Sequence, residues 1–453
     1  MSARGRRAFC LEILAGLGAL SLPSPALAMG RTPIGGRIGL HVPWPTGSID
    51  PHDLRDPGAA LFGSAIADPV FALDASGSPY PTLAVSLPTR EATGTVVRLR
   101  DGIRTARGSP LDARDLIASV DRARSKGAAA VLADIPKPAP YPGDPSAVIF
   151  GNVDAARLAR ALASPLVALL PKKFSPGAPD ATGAFKAEPG AGKLVLSRNM
   201  LAARGHAFLD TIEVSRASDL KTSLREFEAA HDDMGWLGSG LHAGRPGAVR
   251  FDAGLFGWAI LATGPEAGDF HAPGVAQRFA DALPDRIAHL GLSGLPSGSG
   301  DPAWGGPPVE LLVDESSPHL CEIARAVAPI LNRPGHEVSL ALVPRAELAR
   351  RRERGKAGLV IDFVRPIGTG PLNALLSLAT ADSPSRAREL AKAPPKLAVN
   401  ASARSLPFTM GLHVGVLGEL RIAGAAVPDI ALARALSGDV WDLGASFRRS
   451  VRR

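Results

Sequence analysis

Residues 309–364 read VELLVDESSPHLCEIARAVAPILNRPGHEVSLALVPRAELARRRERGKAGLVIDFV. Val309 to Val313 is a short apolar run of the kind that forms a buried strand. Ser317-Pro318 then opens a helix on which Leu320, Ile323, Ala324, Val327 and Leu331 share one face, with Pro329 placed to kink its last turn. Gly335 ends that segment, and Glu337 to Val343 reads as a second strand. A charged helix is expected over about 345–355, followed by a third apolar strand from Gly358 to Phe363. Strand, helix, strand, helix, strand predicts a parallel, doubly wound sheet across about 300–400. Ligands of such sheets lie beyond the carboxyl ends of the strands, which makes Asp314, Asp362 and Arg365 candidate binding residues.

Outward from this unit, Val96-Val97-Arg98-Leu99-Arg100 alternates like a strand and stops at the Asp101-Gly102 turn. Asp112 is placed to cap a helix running to about Lys126, with Asp115 in its first turn. The Gly/Ser/Pro-rich passage Gly291 to Pro308 reads as surface loop, and no internal repeat is visible. The whole chain has 453 residues, 45% hydrophobic and 21% charged, with 49 Gly and 41 Pro. That length suggests two or three lobes, and the composition excludes wholesale disorder.

The N-terminus has the pattern of an export signal. Arg4, Arg6 and Arg7 precede an apolar stretch from Ala8 to Leu22, interrupted by Glu12, and Ala26-x-Ala28 fits a signal-peptidase site. Arg6-Arg7-x-Phe9 also resembles a twin-arginine signal. Residues 1–28 are therefore expected to be removed after Ala28, delivering a soluble chain to the periplasm. Losing three arginines and Glu12 lowers the net charge from +8 to +6. Of the two cysteines, Cys10 leaves with the signal and Cys321 stays alone, so neither a disulfide framework nor a cysteine-rich metal site is available.

Catalytic patterns are missing from the sequence. There is no G-x-S-x-G elbow, H-E-x-x-H pair, phosphate-binding P-loop or EF-hand loop. His231-Asp232-Asp233 reads as a solvated turn, since consecutive residues in extended chain point in alternating directions. The basic run Arg345 to Lys356 lacks interleaved aromatics, so it is expected to be a solvated helix and not a nucleic-acid surface. No metal or cofactor is expected, and no enzyme activity.

Four ordered segments resemble solute-binding protein family 5, the periplasmic dipeptide, oligopeptide and nickel-binding proteins of ABC importers. Arg37-Ile38-Gly39-Leu40 with Ser48-Ile49-Asp50-Pro51-His52 is similar to the family's first strand and its "LDP" turn. Ser78-x-Tyr80-Pro81-x-Leu83-Ala84 resembles the "P-x-L-A" step. Arg98-Leu99-Arg100-Asp101-Gly102-Ile103, then Gly108-x-Pro110-Leu111-x-Ala113-x-Asp115 and Ser119-x-x-Arg122, is similar to the central signature. Ala181-Thr182-Gly183-Ala184-Phe185-Lys186 and Leu194-x-Leu196-x-Arg198-Asn199 resemble the "GTGPF" step and its strand.

The resemblance implies a bilobal α/β clamshell of the periplasmic-binding-protein type (class II, of the large cluster C kind). Lobe I would take 29–250 and 405–453, with lobe II, 251–404, inserted between them and the hinge near 250 and 402. It implies capture of a peptide-like or other small solute and delivery to inner-membrane permease subunits, by a monomer. A repurposed sensor or interaction module is the alternative. Trp236, Trp258 and Trp304 lie in segments that border the cleft in the family, where an indole can stack on a ligand. The family's "W-x-x-D-Y-x-x-P" step, whose aspartate meets a peptide amine, corresponds to Ile361-Asp362-Phe363-Val364-Arg365-Pro366. The favoured register puts Val364 at the amine position, and Asp362 takes it only if the register shifts by two. Arg365 adds a guanidinium that would favour a carboxylate or phosphate.

Overall fold

The computed structural model describes residues 32–190, 192–236, 244–295, 298, 300–435 and 441–449. The expected leader lies outside the described residues. Among those residues, no helix is long and apolar enough to cross a membrane.

A ten-stranded sheet organises the chain. Its strands are β1 (Arg37–Val42), β2 (Phe185–Gly190), β3 (Lys193–Arg198), β4 (Thr211–Arg216), β5 (Met234–Trp236), β6 (Val249–Thr263), β7 (Val309–Asp314), β8 (Val338–Val343), β9 (Leu359–Val364) and β10 (Val414–Ala426). Their order across the sheet is β8-β7-β9-β6-β10-β5-β1-β4-β3-β2. The two long strands β6 and β10 pair antiparallel along almost their whole length. They separate the β8-β7-β9 set, drawn from 309–364, from the β5-β1-β4-β3-β2 set, drawn from 37–236. Three register shifts interrupt the β6–β10 pairing, at Asp252/Gly254, Leu255/Gly257 and Ala259/Ile260.

The unit quoted at the outset folds as its periodicity predicts. β7 lies parallel to both β8 and β9, with helix Pro318–Leu331 between β7 and β8 and helix Arg345–Glu353 between β8 and β9. Pro318 occupies the first turn, where its missing N–H costs nothing, and Pro329 sits inside the last turn. Helix Ala113–Lys126 also begins as expected. Asp112 accepts the N–H groups of Arg114 and Asp115, and Asp115 accepts the Asp112 N–H in return. That helix ends at Gly127, where an added Cβ would lie 2.6 Å from both the His52 carbonyl oxygen and the Leu54 nitrogen. The glycine therefore lets the 50–57 turn press directly against the helix end.

Alternation along the central strands feeds two cores. Phe256, Ala259 and Leu261 of β6 join Leu359, Ile361 and Phe363 of β9 in one core, together with Ile38, Leu40 and Val42 of β1. Trp258 and Ile260 point the other way and join Val364, Leu116, Val120, Leu375 and Leu378 in the second. Residues between 251 and 404 thus contribute to both cores.

Candidate functional site

The turn after β1 carries a dense set of carboxylates, each with a specific partner. Asp50 is held by the two guanidinium nitrogens of Arg122, both at 2.7 Å, and accepts the His52 N–H at 3.2 Å. Asp53 accepts the Arg55 N–H at 2.9 Å. Asp56 accepts the Asp50 N–H at 2.8 Å and caps helix Pro57–Ile66 through the Ala59 N–H. His52 is fully buried, and its Nε2 lies 2.8 Å from the Ala168 carbonyl. Burial drives the pKa of this imidazole down to about 4, although the carbonyl contact works the other way, so it stays neutral at physiological pH.

Helix Arg345–Glu353 reaches across to this turn. Arg345 lies 2.8 Å from Asp53 and 3.5 Å from Asp56. Burial opposes its charge, but Asp56, Asp53, Asp314 and Asp362 outweigh that effect and raise its pKa. Burial would also raise Asp53, yet the Arg345 charge and the hydrogen bonds from Arg55 and Arg345 bring it below the ordinary carboxylate value. For Asp56 burial dominates, and its pKa rises to about 6. One turn pair further along the same helix, Arg352 meets Asp362 of β9 at 2.5 Å, with Arg55 at 3.5 Å from the same carboxylate. Two guanidiniums share one carboxylate, and burial plus the Arg352 charge depress the Arg55 pKa to about 10.

These ion pairs wall a cavity of about 380 Å³. Its floor is the 53–57 turn with Ser125 and Lys126, and its opposite side is formed by Asp314, Asp362 and helix Arg345–Glu353. A second cavity, of about 610 Å³, shares Asp53, Lys126, Arg345 and Ala349 with it and adds Thr46, Ser48 and Glu315. Carboxylates and cations are balanced along the first wall, so its groups are complementary to polar, charged chemistry rather than to apolar surface.

Of the six residues expected at the site, Asp314 and Asp362 line this cavity. Asp314 ends β7 and accepts the N–H and hydroxyl of Ser316, so part of its capacity is spent on the strand-to-helix turn. Between Asp362 and Val364, the two candidates for one position, it is Asp362 that lines the cavity, while Val364 is buried in the second core. Arg365 is 4% exposed, gives its N–H to the Leu54 carbonyl, is already engaged within the protein and lines neither cavity.

The tryptophans sit apart from it. Trp304 is fully buried, packed on Phe270 and Phe279, with its indole N–H donated to the Pro307 carbonyl at 2.7 Å. Trp236 packs edge-on against Phe256 in the first core. Trp258 borders a different cavity, with Leu255 and Ala374. Large indole surfaces gain more from core burial than from a charged cleft.

The sequence reading missed Arg345, Arg352 and Arg55. The run from Arg345 was expected to be solvated, yet two of its arginines face the cleft. Their seven-residue spacing, which puts both on one face of a helix, was the available signal. Among the described residues no group of three or more His, Cys, Asp or Glu is placed to hold a metal ion. Burial raises the Cys321 thiol to about 11, which keeps it protonated and unreactive.

No protein-family model matches the chain, and neither does any curated protein sequence. Solved structures do match. The pheromone receptor PrgZ, in a structure describing its mode of peptide binding, is 13% identical, with a TM-score of 0.67 over 92% of this chain and 100% of that one. The oligopeptide-binding protein AppA from Bacillus subtilis, in complex with a nonapeptide, is 12% identical, with a TM-score of 0.64 and coverage of 92% and 100%. The binding protein AgaA from A. tumefacien R10, with agropinic acid, is 16% identical, with a TM-score of 0.64 and coverage of 92% and 99%. The chain therefore has the bilobal α/β clamshell fold of these binding proteins.

Proposed function

We propose that this chain is an exported solute-binding protein of family 5, which captures a small polar solute between two lobes and hands it to the permease of an ABC importer. Lobe I comprises 29–250 and 405–453, and lobe II comprises 251–404, joined through β6 and β10. The observation that carries the reading is the charged cavity. Its walls come from the turn after β1 on one side and from the carboxyl ends of β7 and β9 with helix Arg345–Glu353 on the other. A solute held there touches both walls at once, and only such differential contact favours a closed form. The order of motifs and the fold of the neighbours support the same reading, and the pattern of residues 4–28 supports export with cleavage after Ala28. Binding without bond making is the chemistry these groups suit, since every carboxylate with a shifted pKa on the wall already has an ion-pair or capping partner.

The cargo follows from Asp362. A peptide amine would have to take this carboxylate from Arg352 and Arg55, so free-amine di- and tripeptides bind no tighter than about millimolar. Native mass spectrometry of the protein purified from its periplasm tests the reading. A small solute retained with the folded chain and lost on unfolding is expected. A chain that carries no solute, and that no compound in a polar-metabolite panel stabilises, overturns it. Micromolar calorimetric binding of unmodified tripeptides overturns the cargo assignment alone.

A further inference from the structure

A separate cavity of about 450 Å³ shares Arg55 and Arg352 with the cleft, while Asp362 lines the cleft alone. Its other walls come from the end of β6, the loop carrying His271, the junction between helix Pro371–Asp382 and helix Pro384–Lys392, and the 411–414 segment with His413. Three guanidiniums, from Arg55, Arg352 and Arg386, and two imidazoles line one small space. The carboxylate among them, Asp382, is already taken: it accepts the His413 N–H at 3.1 Å and lies 3.2 Å from His413 Nδ1.

The cations are under-matched. Arg55 and Arg352 share Asp362, and one arm of Arg55 turns to the Ala381 carbonyl. Arg386 meets Glu389 at 3.6 Å, but both side chains are largely exposed, so water screens that pair. The His271 and His413 rings stack with centroids 4.4 Å apart, and the buried Nδ1 of His271 has no hydrogen-bond partner among the described residues. Helix Pro384–Lys392 starts in this space at Ser383, with no side-chain cap on its first turn.

We propose that this cavity is a second binding site, for a doubly charged oxyanion: inorganic phosphate or the phosphate group of a small monoester. Guanidiniums from three separate elements suit a tetrahedral dianion, which offers acceptor oxygens in several directions at once. The helix start supplies further N–H donors on the same side. The site does not depend on what the cleft carries.

Calorimetric titration of the full chain with inorganic phosphate tests it, with acetate as the singly charged control. Saturable phosphate binding at about 1 mM or tighter is expected, with acetate much weaker. Arg386→Gln should weaken phosphate binding about tenfold, the effect of losing one charge-assisted bond. Arg386 is exposed enough that its replacement leaves the fold intact. Lys126→Gln alters the cleft but not this cavity, and should leave phosphate binding unchanged. Absence of saturation at millimolar phosphate overturns the proposal. So does equal weakening by Lys126→Gln and Arg386→Gln, which would put the anion in the cleft, and so does acetate binding as well as phosphate. Retention of a solute by the purified protein is a separate readout, so failure here leaves the capture reading standing.

Discussion

Replacing Arg345 by methionine separates the two carboxylates it serves, and the outcome should depend on pH. Met keeps the aliphatic bulk and removes the cation. Asp53 then loses a 2.8 Å charge-assisted bond, about 1.5–3 kcal/mol. Asp56 keeps its burial while losing the cation 3.5 Å away, which brings the total towards about 3 kcal/mol, the lower end for breaking a buried pair. Because burial raises the Asp56 pKa from 3.8 to about 6, its ionisation weakens the fold as pH climbs through that window. At pH 8 both carboxylates are ionised and the full loss applies. At pH 5 Asp56 is mostly protonated in parent and variant alike, so only the Asp53 share, about 1.5–2 kcal/mol, remains. Urea unfolding followed by tryptophan fluorescence at the two pH values measures the difference, with fully buried Trp44, Trp304 and Trp441 as reporters. Equal losses at pH 8 and pH 5 would refute the assignment to Asp56. A loss below about 0.5 kcal/mol at pH 8 would show that the whole pair behaves like a surface contact.

His52 should control acid stability. Its folded-state pKa of about 4 means the unfolded chain binds the extra proton between about 6.5 and 4, so stability falls as pH drops through that range. His52→Gln is expected to remove about 2–3 kcal/mol of the stability difference between pH 7 and pH 4.5, read from urea midpoints. Gly127→Ala forces a Cβ to 2.6 Å from two backbone atoms of the 52–54 turn, and a loss of about 2–3 kcal/mol in thermal unfolding should follow. An unchanged midpoint would mean the turn can retreat. Trp304→Ala should cost about 3–5 kcal/mol while leaving solute affinity intact, because the indole sits in the core and not in the cleft. Reduced affinity at full stability would restore it to the site.

Legibility differed between the fold and the cleft for a physical reason. The β7-to-β9 unit, the Asp112 cap and the helix from Ala113 to Lys126 rest on local periodicity and capping, so the order of side chains was enough to find them. Asp314 and Asp362, named from their place at strand ends, do line the cavity, because the strand ends of a parallel sheet share one edge. The guanidiniums that line it were not named. Arg345 meets Asp53 across 292 positions of chain, and only its seven-residue spacing from Arg352 sets it apart from the solvated Arg350. Only Leu348 of that helix is buried, so its apolar face was too weak to reveal which way the arginines turn. The tryptophans lie away from that cavity. Aromatic character suits a binding surface, yet Trp304 and Trp236 lie where their large apolar area is covered by other rings.

The β6–β10 pair has a mechanical consequence. These strands run unbroken through the middle of a sheet shared by both halves, so the halves are not swung on a free pivot. A bend between the halves would have to flex the sheet itself, and the three register shifts are the places where the ladder is already interrupted. The protein is thus closer to a leaf spring than to a door on pins. Any relative motion of the halves would load that pair along its length, with a stiffness set by where its bulges fall.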